Sequence, residues 1–498
     1  MFSILATRPA SRPNIVLITT DQQRGDCLGC AGHPAVETPY LDHMAEQGVR
    51  FTRAYTAVPS CTPARAAILT GMDQWNHGRL TMTGTDSLEY PATLPGELAK
   101  AGYHTYAVGK MHHHPQRKLY GFHHMVLDES GRRFGNFVSD YHRWFEQNKD
   151  GPYGYRDHSI DWNSWMARPS HLPEHLHPTY WTASEAIRFV EQLRDPTKPF
   201  FLWLSFARPH SPYDPPRVYW DMYINNPNIP KPVIGDWTAP FDRRADDVNA
   251  PFTRRSDEEI RRARAGYYGN ITFIDHQIGR FLYEFARADR QAFENTLFLF
   301  TSDHGDMLGD HHHWRKTYAY EGSAHVPFLI QFPKAWDVRR GWACDRVVEL
   351  RDIMPTFLDA AGVEIPDSVD GKSVLPLCFG TSDEWREFIQ GEHTLSYGME
   401  WGNQWVTDGK EKYIWFHHTG RELFFDLEKD PGECRDLSKD PGYQDRIELW
   451  RSRLAQINEE RGDPRGQNGK LVPQPQGAIK LSPNYFKWKE RAEALEKR

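Results

Sequence analysis

Cysteine is scarce. Six residues in 498 (Cys27, Cys30, Cys61, Cys344, Cys378 and Cys434) lie scattered along the chain, which excludes a scaffold built on disulfides. Cys27 and Cys30 form one C-x-x-C, but no second pair and no downstream histidine pair stands at zinc spacing, so they read as two small loop residues. Long apolar runs are missing too. None reaches the about 18 residues of a membrane span, and the longest, PFFLWLSFA at 199–207, has the length of a buried strand. Positive charge is not in surplus: 60 Lys and Arg against 67 Asp and Glu leave a net charge of −7. That argues against nucleic acid and against a membrane surface as partners. The opening MFSILATRPASRP lacks the basic and long apolar regions of a secretory signal, so the cytoplasm is the expected compartment. No internal repeat indicates a solenoid. What is present, 39% hydrophobic and 26% charged residues, is the composition of a globular chain with a substantial core.

Apolar runs of strand length alternate with helical patterns. Residues 14–20 (NIVLITT), 103–108, 200–206, 296–301 and 325–332 read as strands buried on both faces. Between them, 38–48, 63–69, 94–101, 182–193, 256–288 and 350–361 carry helical periodicity, with Gly102 and Gly362 as stops. The alternation predicts an α/β fold: a mostly parallel sheet sandwiched by helices, with its chemistry beyond the carboxyl ends of the strands. The Pro- and Trp-rich stretches 148–178 and 209–251 read as long insertions over a site. Past residue 380 the texture changes to short strands (401–406, 412–416, 422–426), then a polar extended tail at 462–484. We therefore expect a catalytic domain over residues 1–380 and a C-terminal subdomain with a small antiparallel sheet over 381–498.

Polar residues gather at the predicted strand ends. Asp21 and Gln22 end the first strand, Lys110 and His112 follow the second, His210 the third, and Asp303 and His304 end the fourth. Together they point to a ligand crevice. The sharpest feature is Ser60-Cys61-Thr62-Pro63-Ala64-Arg65 before the helical AAILTG. Pro63 suits a helix start, so Cys61 stands at a helix mouth, where the dipole favours an anion.

C-T-P-A-R resembles the C-x-P-x-R signature of type I sulfatases of the alkaline phosphatase superfamily, whose cysteine is oxidised to formylglycine. The resemblance extends along the chain. NIVLITTDQ is similar to the family's opening strand, AVGKMH (107–112) to its Gly-Lys-x-His segment, RPHSP (208–212) to its Pro-His-x-Pro segment, and TSDHG (301–305) with Lys316 to the remainder of the site. ELFFDLEKDPGE (422–433) resembles the closing hairpin.

This likeness implies an alkaline-phosphatase-like fold and a sulfuric ester hydrolase acting on a small-molecule or saccharide sulfate ester. The nucleophile would be a hydroxyl of hydrated formylglycine at Cys61, made by a formylglycine-generating maturation enzyme. Asp21, Gln22, Asp303 and His304, with the oxidised Cys61, would hold one divalent cation. Arg65 and Lys110 would stabilise the nucleophile, His112 would act as base in the elimination, and His210 and Lys316 would grip sulfate and protonate the departing alcohol. Ca²⁺ is the first expectation. Gln22 and His304, where many relatives carry Asp and Asn, lower the ligand charge and bring Mn²⁺ or Mg²⁺ into consideration. The same two residues resemble the phosphonate monoester and phosphodiester hydrolases that share the motif, which are the alternative; a silent sulfatase-like binding protein ranks below both. A homo-oligomer stays open. His311-His312-His313 reads as a solvated loop or a substrate contact, because adjacent histidines cannot all face one ion. Only His112 of His112-His113-His114 matches a family position. EGSAH (321–325) reads as a loop-positioning segment, and most of the 17 Trp and 22 Tyr as core.

Overall fold

A computed structural model describes residues 12–82, 86–129, 136–381 and 384–496; the reading of the first eleven residues lies outside them. Eight strands make the main sheet: β1 (Asn14–Asp21), β2 (Gly48–Tyr55), β3 (His104–Gly109), β4 (His124–Leu127), β5 (Phe200–Pro209), β6 (Thr296–Ser302), β7 (Phe328–Gln331) and β8 (Trp342–Glu349). Their order is β4-β3-β5-β1-β6-β7-β2-β8. Only β7 runs against its neighbours; the other pairings are parallel.

The apolar runs explain this arrangement. All eight residues of β1 are buried. Ile15 and Leu17 enter one core with Leu94, Leu98, Ile353 and Phe357, and Val16 and Ile18 enter the other with Leu41, Ile274 and Ile278. A strand that buries both faces needs helices on both. Those helices are α1 (Pro39–Glu46), α2 (Cys61–Thr70), α3 (Leu94–Lys100), α4 (Pro178–Arg188), α5 (Asp257–Ala288) and α6 (Ile353–Ala360). Ser256 and Glu259 start α5 with a reciprocal capping box.

A second, antiparallel sheet comprises β9 (Ile389–His393), β10 (Asn403–Thr407), β11 (Glu411–Phe416) and β12 (Arg421–Asp426). One face packs Val406, Tyr413, Trp415 and Phe424 on Ile447, Trp450 and Leu454 of α7 (Gln444–Glu460). The other packs Trp405, Ile414 and Phe425 on Tyr55, Trp237 and Tyr320 of the larger body. The tail returns to that body, where the Ser482 amide donates to the Gly78 carbonyl at 2.7 Å. A last helix, Pro483–Glu496, follows. Among the described residues no helix is long and apolar enough to cross a membrane.

Candidate active site

Parallel pairing brings the carboxyl ends of β1, β3, β5 and β6 to one edge of the sheet. Asp21 ends β1 and pairs in register with Pro209 of β5, while Thr20 pairs with Ser302 of β6. The residues beyond those ends, Gln22, Lys110, His210, Asp303 and His304, therefore converge. α2 adds Cys61 as its first residue, capped by extended Ser60 and closed at Gly71. Gln22, His112, Arg315 and Thr317 hold positive φ of 75°, 57°, 68° and 84°. That region is unfavourable for residues with side chains and persists where the surroundings enforce it.

Asp21, Cys61, Asp303 and His304 are buried together, each offering one ligand atom, all within 4.8 Å of one another. His304 Nδ1 faces the Gly305 carbonyl at 2.9 Å, which assigns the ring proton to Nδ1. The Nε2 lone pair then looks at Cys61 Sγ (3.3 Å), Asp21 Oδ1 (3.5 Å) and Asp303 Oδ1 (3.6 Å). Burial pushes the His304 pKa well down, against the pull of Asp303. Burial opposes ionisation of Asp303, but His304, Arg65, Lys110 and Lys316 outweigh it and hold the carboxyl below its usual range. Two carboxylate oxygens and a nitrogen lone pair facing one another out of water is a donor set that fits a cation.

A ring of positive charge surrounds these acceptors. Lys110 is ion-paired to Asp21 and lies 3.5 Å from Cys61 Sγ. Lys316 Nζ reaches Cys61 Sγ at 3.3 Å and Gln22 Oε1 at 3.0 Å. Arg65 Nε donates to Asp303 at 2.9 Å and its Nη1 to Ser205 Oγ at 3.0 Å. Above Cys61 opens a cavity of about 380 Å³ whose walls include Cys61, Trp162, His210, Arg315, Lys316 and Tyr397. His210 is tied to β1 through its amide, which donates to the Asp21 carbonyl at 2.9 Å. Its Nδ1 meets the Ser211 carbonyl at 2.8 Å, placing the ring proton there. Arg65, Lys110 and His112 are buried outside that lining. The His112 amide donates to Glu129 Oε1 at 2.6 Å, as the Met111 amide does at 3.0 Å.

The residues picked from sequence thus assemble around Cys61, with His112 on the adjoining loop. Others were not picked. Asp306 accepts from the Gln22 amide nitrogen, Glu129 fixes the 110–112 loop, and His393 of β9 meets Ser60 Oγ at 3.1 Å. Asp306 had a visible signal, being the second acid of D-H-G-D. One reading is corrected: the histidine run is no solvated loop and lines no part of the cavity. His311 accepts the Gly235 amide at 3.1 Å, and His313 sits in an aromatic cluster with ring centres 4.3 Å from Phe241 and 4.7 Å from Tyr318. Burial pushes His313 down to about 3. Cys27 and Cys30 are unpaired thiols; burial raises both, Cys30 to about 12, as inert loop residues require.

The chain is also similar to known proteins. The family model described as sulfatase matches residues 13–363, and that of the N-sulphoglucosamine sulphohydrolase C-terminal region matches 309–460. An arylsulfatase of Clostridium perfringens is 46% identical over 475 residues, covering 93% of this chain and 97% of that protein. An ulvan-active sulfatase of Formosa agariphila is 30% identical, covering 87% of this chain and 78% of that one. Among solved structures, a phosphonate monoester hydrolase of Agrobacterium radiobacter superposes with a TM-score of 0.75 at 26% identity, over 90% of this chain and 96% of that one.

Proposed function

The chain belongs to the sulfatase family and is a sulfuric ester hydrolase, and from that premise we propose that it cleaves a monoester with Cys61, as formylglycine, supplying the nucleophile. The observation that carries the reading is the buried Asp21–Cys61–Asp303–His304 cluster at the foot of a cavity, ringed by Lys110, Lys316 and Arg65. Asp21, Asp303 and His304 would hold a divalent cation, with Gln22 Oε1 and residue 61 beside them; Ca²⁺ is our first assignment. When bound, the cation would acidify a hydroxyl and polarise a sulfate oxygen. Formylglycine, once made by a maturation enzyme, would supply a hydroxyl in place of a thiol that forms a poor ester.

The chain's own residues do the remaining work. Lys110 and Lys316, each about one hydrogen bond from the residue 61 side chain, hold negative charge as it develops on the nucleophile and on the sulfate oxygens. Arg65 braces Asp303, which keeps that carboxylate ionised. His210 lines the cavity with one ring proton held on Nδ1 by the Ser211 carbonyl; as the imidazolium it carries a second proton on Nε2, and that is the proton it would hand to the departing alcohol. His112 is our candidate base for breaking the covalent intermediate. Relatives named arylsulfatase and ulvan-active sulfatase support an aryl or saccharide alcohol. Six unpaired cysteines support a reducing compartment.

The deciding experiment pairs the intact mass of the Cys61 peptide with sulfate release from 4-nitrophenyl sulfate, for protein made with and without a formylglycine-generating enzyme. An aldehyde at residue 61 that tracks the gain of hydrolysis is the expected result, and Cys61→Ala should fall to background. An unmodified thiol with full activity overturns the nucleophile assignment. Because Gln22 and His304 also suit a phosphonate hydrolase, kcat/KM on matched aryl sulfate and aryl phosphonate esters decides which transition state the site fits.

A further inference from the structure

The cavity holds a cation that the sulfate site leaves unused. Arg315 lines it beside Lys316 and is only 8% exposed. Its Nη2 donates to the Asn249 carbonyl, and the guanidinium lies 4.6 Å over the Tyr397 ring. Its Nε is buried with no hydrogen-bond partner, and no carboxylate among the described residues pairs with it. Other buried arginines behave differently: Arg65 sits on Asp303 at 2.9 Å, Arg208 on Asp214 at 2.7 Å, Arg264 on Asp310 at 2.7 Å and Arg465 on Glu392 at 2.7 Å. A guanidinium taken out of water without an anion is costly, and Tyr397 offsets only part of that through its ring face.

From this we infer that Arg315 is a specificity residue for a second anionic group on the alcohol part of the substrate. The inference rests on the sulfatase reading and deepens it: the ester cleaved is an acidic one, a ring that carries its sulfate over Cys61 and a carboxylate, or a second sulfur oxyanion, toward Arg315. The surroundings agree. A cavity of about 380 Å³ walled by Trp162, Tyr397 and Met82 offers flat apolar surface for one ring, and the planar guanidinium matches a carboxylate bidentately. Lys316, whose Nζ is committed to Cys61 and Gln22, marks where the ester sulfate belongs, so the neighbouring cation is left for the other end.

The test measures kcat/KM for 3- and 4-carboxyphenyl sulfate, each against its uncharged methyl ester, with 3-sulfophenyl sulfate against phenyl sulfate as the sulfur-oxyanion arm. Wild type should prefer at least one charged member over its neutral partner by about tenfold or more, chiefly through KM. Arg315→Gln should collapse that preference, and Arg315→Lys should keep part of it. Which arm shows the preference identifies the anion. An equal ratio in wild type and Arg315→Gln overturns the inference, because Arg315 then grips the ester sulfate itself or only braces Tyr397. If Arg315→Gln does not fold, a wild-type ratio near one overturns it just as well. Failure of the sulfatase reading looks different: no member of the panel, phenyl sulfate included, would then release sulfate.

Discussion

Asp306 touches no reacting atom, yet it decides where Gln22 points. Fully buried, its Oδ2 accepts from the Gln22 amide nitrogen and from the Tyr213 hydroxyl, and its Oδ1 from the amides of Leu308 and Arg315, both at 2.9 Å. Four donors on one carboxylate fix the Gln22 amide so that Oε1 turns to Lys316. Asp306→Asn puts an NH₂ against one of those donors. We expect a stability loss of about 2 kcal/mol and a kcat lower by about tenfold or more, with KM little changed. Thermal unfolding and steady-state kinetics check it, and lost stability with kcat intact would make Asp306 purely structural. Such residues mark the limit of what a sequence displays. Cys61, Lys110, His210 and Asp303 were legible because each sits in a short motif whose residue types have one chemical use. Asp306 shows as the second acid of D-H-G-D, but its role, like those of Glu129 and His393, is to orient those residues through contacts such as His393 with Ser60 across 333 positions, and no local pattern records a contact of that span. The histidine run misled for the opposite reason. Its composition suggested exposure, while Gly235 and an aromatic cluster, far away in the chain, bury it.

Among the elements, the strands at the sheet's centre were readable and its flanks were not. β1, β5 and β6 are buried at every position and so appear as unbroken apolar runs. β2, with Arg50, Thr52 and Arg53 only half-buried, and β8, with four positions not buried, carry too much polarity to stand out. β9 (IQGEH) and α7 were likewise unread, since their apolar residues gain meaning only once the second sheet pairs. Where the strands end matters more than where they begin. Gly109 closes β3 with φ 94°, and a Cβ there would lie 2.0 Å from the Ser205 carbonyl oxygen. The next amide, Lys110, donates to that same carbonyl at 2.9 Å. Gly109→Ala must therefore push β3 from β5 at the point that aims Lys110 at Asp21. A loss of about 3 kcal/mol or more is expected, together with a fall in kcat in the fraction that folds. Urea unfolding and kinetics on the soluble fraction decide it; a variant as stable and active as wild type would mean that Lys110 is not aimed by this turn.

For the molecule as a whole, the second sheet is joined to the segment that follows Lys316 by buried charge. Lys412 of β11, fully buried, donates to Glu321 at 2.6 Å, to Glu433 at 3.0 Å and to the Ala319 carbonyl at 2.8 Å, while Glu433 accepts the Glu321 amide at 2.7 Å. Glu321 opens the short helix Glu321–Ala324, ahead of β7. One ammonium serves two carboxylates here. Burial, helped by Glu321 and opposed by Lys412, pushes Glu433 up to about 7, from an ordinary value of 4.5. Between those two values the folded protein keeps a proton that the unfolded chain has released. The stability that Glu433 contributes is therefore full below about pH 4.5 and declines as pH rises toward 7. Glu433→Gln keeps a neutral hydrogen-bonding side chain and removes the titration. Its stability should vary less between pH 5 and 7 and should match or exceed wild type at pH 8. Lys412→Met leaves two carboxylates buried without their cation and should cost about 3–5 kcal/mol at neutral pH, a loss that lessens in acid as the carboxylates take up protons. Urea unfolding at a series of pH values separates these cases. Identical pH slopes for wild type and Glu433→Gln would show that the proton is held elsewhere. A shallower slope, with sulfatase activity lost together with the second sheet's cooperative unfolding in Lys412→Met, would show that this charge cluster couples the second sheet to the catalytic edge.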